Sequence, residues 1–186
     1  MTLLRRAPKA RNWEPNIDIA LEEQVTPVRA RTPDELVTLF SDEVWRFASA
    51  QVNSREDAED IVMETFSAAF RNFSRLERAD NQAHWLLSVA RNKVANTHRK
   101  RYRRAEEPLN DDHIAQGDTS GIMARQVLAD LPESQREVIT LKYVNGLSIE
   151  EIGALTHRTA AATNSLLQRG RQSLRTALGL PKGEEN

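Results

Sequence analysis

The sequence predicts an all-α fold of two small helical bundles joined by a flexible acidic linker, the C-terminal bundle carrying a helix-turn-helix. Apolar residues recur at the helical period of about 3.6 along most of the chain, and no segment shows sustained strand alternation. Residues 105–122 carry a proline, two glycines and five acids but few apolar side chains, which indicates a linker. A chain of 186 residues is long enough for one or two small domains.

The first 33 residues predict a poorly ordered extension, because they hold four prolines and scattered charges. The run Thr32-Pro33-Asp34-Glu35 then predicts a helix start. A hydroxyl cap, a proline in the first turn and acids near the positive end of the helix dipole all favour one. Residues 34–104 form the predicted N-terminal domain.

Three helices are expected in this domain. The first has an inner face at helical spacing: Leu36, Leu39, Phe40, Val44, Phe47 and Ala48. The second follows a cap at Ser54, and its inner face is Ala58, Ile61, Val62, Phe66, Ala69, Phe70 and Phe73. A loop over 75–82 leads to a third helix at about 83–103, which buries Leu86, Val89, Ala90, Val94 and the stem of Lys93.

The C-terminal domain is predicted over 123–179, followed by a tail at 180–186. Two helices are broken at Pro132, and Asn145-Gly146 ends the second of them. Ser148 and Glu151 have the spacing of a capping box, which predicts a short helix through Leu155. A turn over 156–159 then leads to a final helix from about 160 to 178.

Composition excludes several classes of protein. There is no cysteine, and the four histidines lack ligand spacing, so we expect no metal and no cofactor. No apolar run approaches the roughly 20 residues of a membrane span, and a cytoplasmic protein is expected. An enzyme is not expected, because no cluster offers a nucleophile with its base, a metal site or a phosphate-cradling loop.

The net charge of −1 hides a strong local asymmetry. Residues 99–104 hold five basic residues and no acid, whereas residues 105–122 hold five acids and no base. Such segregation suits a protein that contacts both DNA and a basic partner.

The second helix presents an acidic outer face made of Asp57, Glu59, Asp60 and Glu64. A charged outer face is usually no more than solvated surface, but it also suits docking on a basic partner. The order Asp57-Ala58-Glu59-Asp60-Ile61-Val62-Met63-Glu64-Thr65-Phe66 resembles the segment of bacterial sigma factors that binds core RNA polymerase. The resemblance implies that this face sits on the clamp helices of the β′ subunit.

The third helix ends in cations that favour phosphate, and two asparagines four residues apart offer amides able to read base edges. The run Trp85-Leu86-Leu87-Ser88-Val89-Ala90-Arg91-Asn92 resembles the sigma-factor segment that holds the single-stranded −10 element. Asp80 or Asn81 in the preceding loop is expected to capture a flipped base. Gln82 stands where the family usually has an aromatic residue, and Trp85 is expected in the core. The candidate −10 residues are Asp80, Asn81, Arg91, Asn92, Asn96, Arg99, Lys100, Arg101, Arg103 and Arg104.

The helix-turn-helix pattern predicts a second DNA-binding surface, because its second helix enters the major groove. The resemblance assigns it to the −35 element, with candidates Arg158, Thr159, Asn164, Ser165, Gln168, Arg169 and Arg171. The recognition helix departs from the family: Thr163-Asn164-Ser165-Leu166 replaces a valine-lysine-serine-arginine core, and His157 replaces the turn glycine. Leu166 is expected to point outward.

The resemblance covers residues 35–104 and 123–178 and points to an extracytoplasmic-function (ECF) sigma factor of the sigma-70 family. It implies a non-enzymatic protein that binds core RNA polymerase through the β′ clamp helices and the β flap, melts promoter DNA, and is held by an anti-sigma factor. Two alternatives stay open at this point. One is a sigma-like mimic that sequesters an anti-sigma factor, which the altered recognition helix motivates. The other is an ordinary helix-turn-helix regulator.

Overall fold

The computed structural model describes residues 29–104 and 126–179, without the side chain of Arg104. Residues 1–28 of the predicted extension, the whole of the predicted linker 105–122 and the tail 180–186 lie outside the described residues. The described part contains these helices: α1 (Pro33–Gln51), α2 (Arg55–Arg71), α3 (Phe73–Leu76), α4 (Gln82–Arg104), α5 (Glu133–Tyr143), α6 (Ile149–Thr156) and α7 (Ala160–Ala177). A short helical stretch at 126–129 precedes α5. The described residues contain no strand, and the all-α prediction is confirmed.

Helix starts follow the local chemistry of the sequence. The Thr32 hydroxyl accepts a hydrogen bond from the Glu35 backbone N–H at 3.2 Å, and Ser54 does the same for Asp57 at 3.3 Å. Ser148 and Glu151 form the predicted capping box, with bonds of 3.1 and 2.7 Å. These bonds satisfy amides that a helix start otherwise leaves without a partner.

The N-terminal bundle packs α1, α2 and α4 around one apolar core, and its largest fully buried side chains are Leu36, Val44, Phe47, Ile61, Leu76, Leu86 and Leu87. Two residues expected inside are not: Leu39 is 43% exposed and Phe70 is 45% exposed. Leu39 lies at the edge of the apolar stripe centred on Leu36 and Phe40. Phe70 lies in the last turn of α2 with its ring centroid 6.3 Å from that of Phe66.

Residues 29–32 contact this bundle, although the sequence assigned them to the extension. Ala30 is fully buried, and its backbone is bonded to the side chain of Gln82. The packed part of the chain therefore begins no later than Arg29, ahead of the boundary expected at residue 33.

The C-terminal bundle places α7 against both α5 and α6. Because α7 contacts two helices, its buried face is wide and consists of Thr163, Leu166, Leu167 and Gly170. The expectation that Leu166 points outward is wrong, since its side chain is 9% exposed. Gly170 is required where α7 crosses α5, because a Cβ there would lie 2.7 Å from Ile139 Cγ1.

The two bundles pack against each other through α1 with α5 and α4 with α6. Gln51 at the end of α1 donates to the Thr140 hydroxyl at 3.0 Å, and its carbonyl accepts from Arg136 at 3.0 Å. Arg136 is buried, and it also donates to the carbonyls of Ala129 and Leu131 at 2.7 and 3.1 Å. Burial lowers the pKa of this guanidinium, and the carbonyl partners compensate for the hydration that the charge has lost.

Substitutions of His157 can test whether the turn of the helix-turn-helix carries backbone strain. It is the non-glycine residue with positive φ among those described, at φ 57° and ψ 42°. A side chain in this left-handed conformation costs about 1 kcal/mol relative to glycine. We expect His157→Gly to raise the free energy of unfolding by about 1 kcal/mol over His157→Ala, the matched control, in urea titrations followed by circular dichroism. Equal stability of the two variants would contradict this.

Candidate polymerase and nucleic-acid interfaces

The acidic face of α2 is built from four carboxylates in different environments. Asp57 is bonded to Arg101 of α4, and Glu64 is 2.7 Å from the Lys93 ammonium of α4. The Lys93 hydrogen bond holds the pKa of Glu64 below its usual range. Glu59 contacts Arg55 on the same helix at 2.7 Å. Asp60 is exposed, and no side chain among the described residues bonds to it.

The outer face of α4 carries the candidate −10 residues. Asn92 and Asn96 are exposed one helical turn apart, and Asn96 Oδ1 accepts from Arg99 at 2.8 Å. Lys100 and Arg103 are exposed, whereas Arg101 is engaged by Asp57. These side chains form a polar, cationic strip along the last turns of α4. The side chain of Arg104 lies outside the described residues.

The loop before α4 presents Asp80 to solvent. Asn81 is half-buried, and its Oδ1 accepts from the His84 backbone N–H at 3.0 Å. This bond caps α4, so Asn81 already has a structural role that the sequence analysis missed. Trp85 is half-buried and packs against the core, in keeping with the expectation that it is a core residue.

The helix-turn-helix is formed by α6 and α7. Gly153 allows their close approach, because a Cβ there would lie 2.8 Å from the Arg158 carbonyl oxygen. Thr159 caps α7 by accepting from the Ala162 N–H at 3.2 Å. The outer face of α7 carries the remaining candidates, all of them exposed: Asn164, Ser165, Gln168, Arg169 and Arg171.

Glu137 of α5 joins the two bundles, and the sequence analysis did not single it out. Its Oε1 accepts from Arg91 Nε of α4 at 2.6 Å, and its Oε2 accepts from Arg158 Nη1 at 3.0 Å. Its side chain is only 14% exposed, so water screens these pairs less than at an open surface. The Glu137 carboxylate therefore binds both Arg91, which is expected at the −10 element, and Arg158, which is expected at the −35 element.

Three further contacts cross this junction. His98 of α4 places Nδ1 2.7 Å from Glu133 Oε1 of α5, and Tyr102 donates to the same oxygen at 3.2 Å. His84 Nε2 lies 3.2 Å from Glu151 Oε1 of α6. Burial acts to raise the pKa of Glu151, but the hydrogen bonds from Ser148 outweigh it and the pKa lies below its usual value.

Both bundles match models of one family. Residues 36–104 match sigma-70 region 2, and residues 122–174 match sigma-70, region 4. The chain belongs to the sigma-70 family. Its similarity to several ECF RNA polymerase sigma factors assigns it to that group, whose members direct transcription initiation. In the described part of this sigma-70 chain, no helix is both long and apolar enough to cross a membrane.

Relatives and solved structures agree with the family assignment. The chain is 31% identical to the ECF sigma factor SigE of Mycolicibacterium smegmatis over 163 residues, which are 81% of this chain and 63% of that one. It is 28% identical to SigM of Bacillus subtilis, covering 77% of this chain and 93% of SigM. The sigma factor RpoE of Bartonella quintana, solved in complex with the anti-sigma factor NepR, has the same fold. That match has a TM-score of 0.69 at 24% identity and covers 80% of this chain and 98% of the other.

The Glu137 bridge is expected to hold the two bundles together in solution. Glu137→Gln removes the charge that both arginines share, at a cost of about 1–3 kcal/mol because the site is largely buried. The chain has no cysteine, so Ser67→Cys and Gln172→Cys allow one dye on each bundle. We expect the efficiency of fluorescence resonance energy transfer between these dyes to be lower in Glu137→Gln than in the protein with Glu137. The matched control is Glu150→Gln, at an exposed acid of α6. Transfer that is equal in the two variants would show that Glu137 does not hold the bundles together.

Proposed function

We propose that this sigma factor docks on core RNA polymerase with the acidic face of α2, traps melted −10 DNA with α4 and its preceding loop, and reads the −35 duplex with α7. One observation carries the proposal: an acidic helix face lies beside a basic, asparagine-bearing helix in one bundle, with a helix-turn-helix in the next. An ordinary helix-turn-helix regulator has no need of the first two surfaces. The protein acts by binding rather than by catalysis, in the cytoplasm where RNA polymerase works.

The α4 strip supports single-strand recognition on two physical grounds. Asn92 and Asn96 carry amides that donate and accept, which matches the edges of unpaired bases. Arg99, Lys100 and Arg103 supply charge for phosphate, which fixes position without reading sequence. Asp80 has an exposed side chain and is our candidate for contact with the flipped base, whereas Asn81 is engaged as a helix cap.

An anti-sigma factor is a proposed partner. Of the structures with the same fold, RpoE was solved in complex with the anti-sigma factor NepR, and CnrH in complex with the cytosolic domain of CnrY. The β′ clamp helices and the β flap remain the proposed contacts on core polymerase.

The sigma-mimic alternative loses one of its supports. An outward Leu166 would have been an apolar anchor for a protein partner, but this side chain is buried. The outer face of α7 instead presents two arginines, two amides and a hydroxyl, at Asn164, Ser165, Gln168, Arg169 and Arg171. That composition favours DNA over an apolar protein surface.

Asp60 gives the sharpest test of polymerase docking, because its charge change breaks none of the described ion pairs. We expect Asp60→Lys to weaken binding to core polymerase by about 2 kcal/mol or more, since an attractive contact with a basic partner becomes repulsive. Asp42→Lys is the matched control, an identical charge change at an exposed position of α1. Affinity should be measured by fluorescence titration with labelled protein. If Asp60→Lys binds core polymerase as tightly as Asp42→Lys, the α2 face is not the docking surface.

Asn164 tests duplex reading by α7. It is exposed where the family carries a lysine, so Asn164→Lys should add one phosphate contact. We expect tighter binding to promoter duplex at low salt, with the slope of log affinity against log salt steeper by about one unit. Ala177→Lys, at the far end of the same helix, controls for added charge. An unchanged slope in Asn164→Lys would argue against a groove-facing α7. Leu166→Arg, in contrast, should unfold the bundle, because it buries a charge without a partner.

A further inference from the structure

The segment ahead of α1 is tied to the loop that precedes α4. Arg29 donates from Nη1 to the Glu77 carbonyl at 3.1 Å and from Nη2 to the Ala79 carbonyl at 2.6 Å. These carbonyls are two residues apart, and the planar guanidinium reaches both at once. A single side chain, 48 and 50 residues away in sequence, therefore fixes the backbone on the near side of Asp80.

Gln82 completes the attachment from the far side of the loop. Its Oε1 accepts from the Ala30 N–H at 2.7 Å, and its Nε2 donates to the Ala30 carbonyl at 2.9 Å. The side-chain amide thus pairs with both polar groups of one backbone residue. Gln82 is 3% exposed and Ala30 is fully buried, so neither pairing can be replaced by water without opening the structure. An aromatic side chain at position 82 could not make this pair of bonds.

The loop is consequently anchored on both sides of Asp80. Arg29 holds the carbonyls of residues 77 and 79, Gln82 holds residue 30, and Asn81 caps α4. Asp80 lies between these anchors with an exposed side chain. An irregular loop without such bonds would lose about 1–2 kcal/mol of conformational entropy per residue on becoming ordered. In this protein the loop is already ordered before a ligand binds, so binding does not require that loss of entropy.

We propose that Arg29 and Gln82 are positioning residues for promoter opening, because they hold the loop around Asp80 in the conformation that receives an extruded base. The inference rests on the proposed function of this loop and assigns to the end of the N-terminal extension a role in it. Extruding a base costs a few kcal/mol, and a loop that is already ordered loses less on binding it. Arg29 then acts through the loop and has no need to contact DNA.

The test uses full-length Arg29→Ala and Gln82→Ala. Arg31→Ala is the matched control, because Arg31 has the same charge two residues away and meets Glu35 through its backbone N–H at 2.7 Å. Two readouts are taken with each variant. Hydrogen–deuterium exchange of residues 77–85 in the free protein reports loop order. Permanganate reactivity of a promoter bound by the reconstituted polymerase reports opening, with core binding measured in parallel.

We expect both variants to exchange faster over 77–85 and to lose promoter opening by about five- to thirty-fold, with core binding and the Arg31→Ala control at the wild-type level. Arg29→Lys keeps the charge but not the planar guanidinium. Its promoter opening should lie between that of Arg29→Ala and that of the wild type. Faster exchange with normal opening would overturn the proposal, and so would unchanged exchange.

Asp80→Ala separates this proposal from the one on which it rests. Its anchors are intact, so the loop should remain ordered while opening falls. If Asp80→Ala opens the promoter normally, the loop does not capture a base and that part of the proposed function fails. If Asp80→Ala impairs opening but Arg29→Ala and Gln82→Ala do not, only the positioning role is wrong.

Discussion

Cations on or beside the proposed DNA surfaces are held, in the free protein, by carboxylates of neighbouring helices. Asp57 of α2 holds Arg101, Glu64 of α2 holds Lys93, and Glu137 of α5 holds Arg91 together with Arg158. These pairs neutralise part of the positive charge of α4 in the free protein. They also fix the order of packing, since α4 must lie between the acidic face of α2 and the buried carboxylate of α5.

The same pairs divide the proposed DNA-contact residues into two classes. Asn92, Asn96, Lys100 and Arg103 are exposed and open to a first encounter with DNA. In the proposed complex with promoter DNA, Arg91 and Arg158 must leave Glu137 before they bind phosphate. Exposed ion pairs contribute only about 0–1 kcal/mol to stability, so a polyanion displaces their carboxylates readily. The Glu137 bridge is more enclosed, so its displacement by a polyanion is harder. We therefore expect the release of Arg91 from Glu137 to accompany both separation of the two bundles and full engagement of promoter DNA.

Local features of the fold were predictable from the sequence, and long-range ones were not. Caps at Thr32, Ser54 and Ser148 and the period of the apolar residues depend on neighbours within one or two turns. The bond from Arg91 to Glu137 spans 46 residues, and the bonds between Gln82 and Ala30 span 52. No spacing rule reaches so far. The prediction that Leu166 points outward was wrong for a related reason. A single helical period describes a helix that is buried on one side, whereas α7 is buried against two helices.

Transcription by the reconstituted polymerase tests the central claim most directly. Purified protein should be added to core RNA polymerase on genomic DNA, and the 5′ ends of the transcripts mapped with and without it. The account predicts a set of start sites that depend on the added protein, share an upstream −10 and −35 pattern, and weaken with Asn92→Ala while core binding is kept. Tight core binding without a single dependent start site would contradict promoter recognition, and the absence of both core binding and dependent start sites would favour the sigma-mimic.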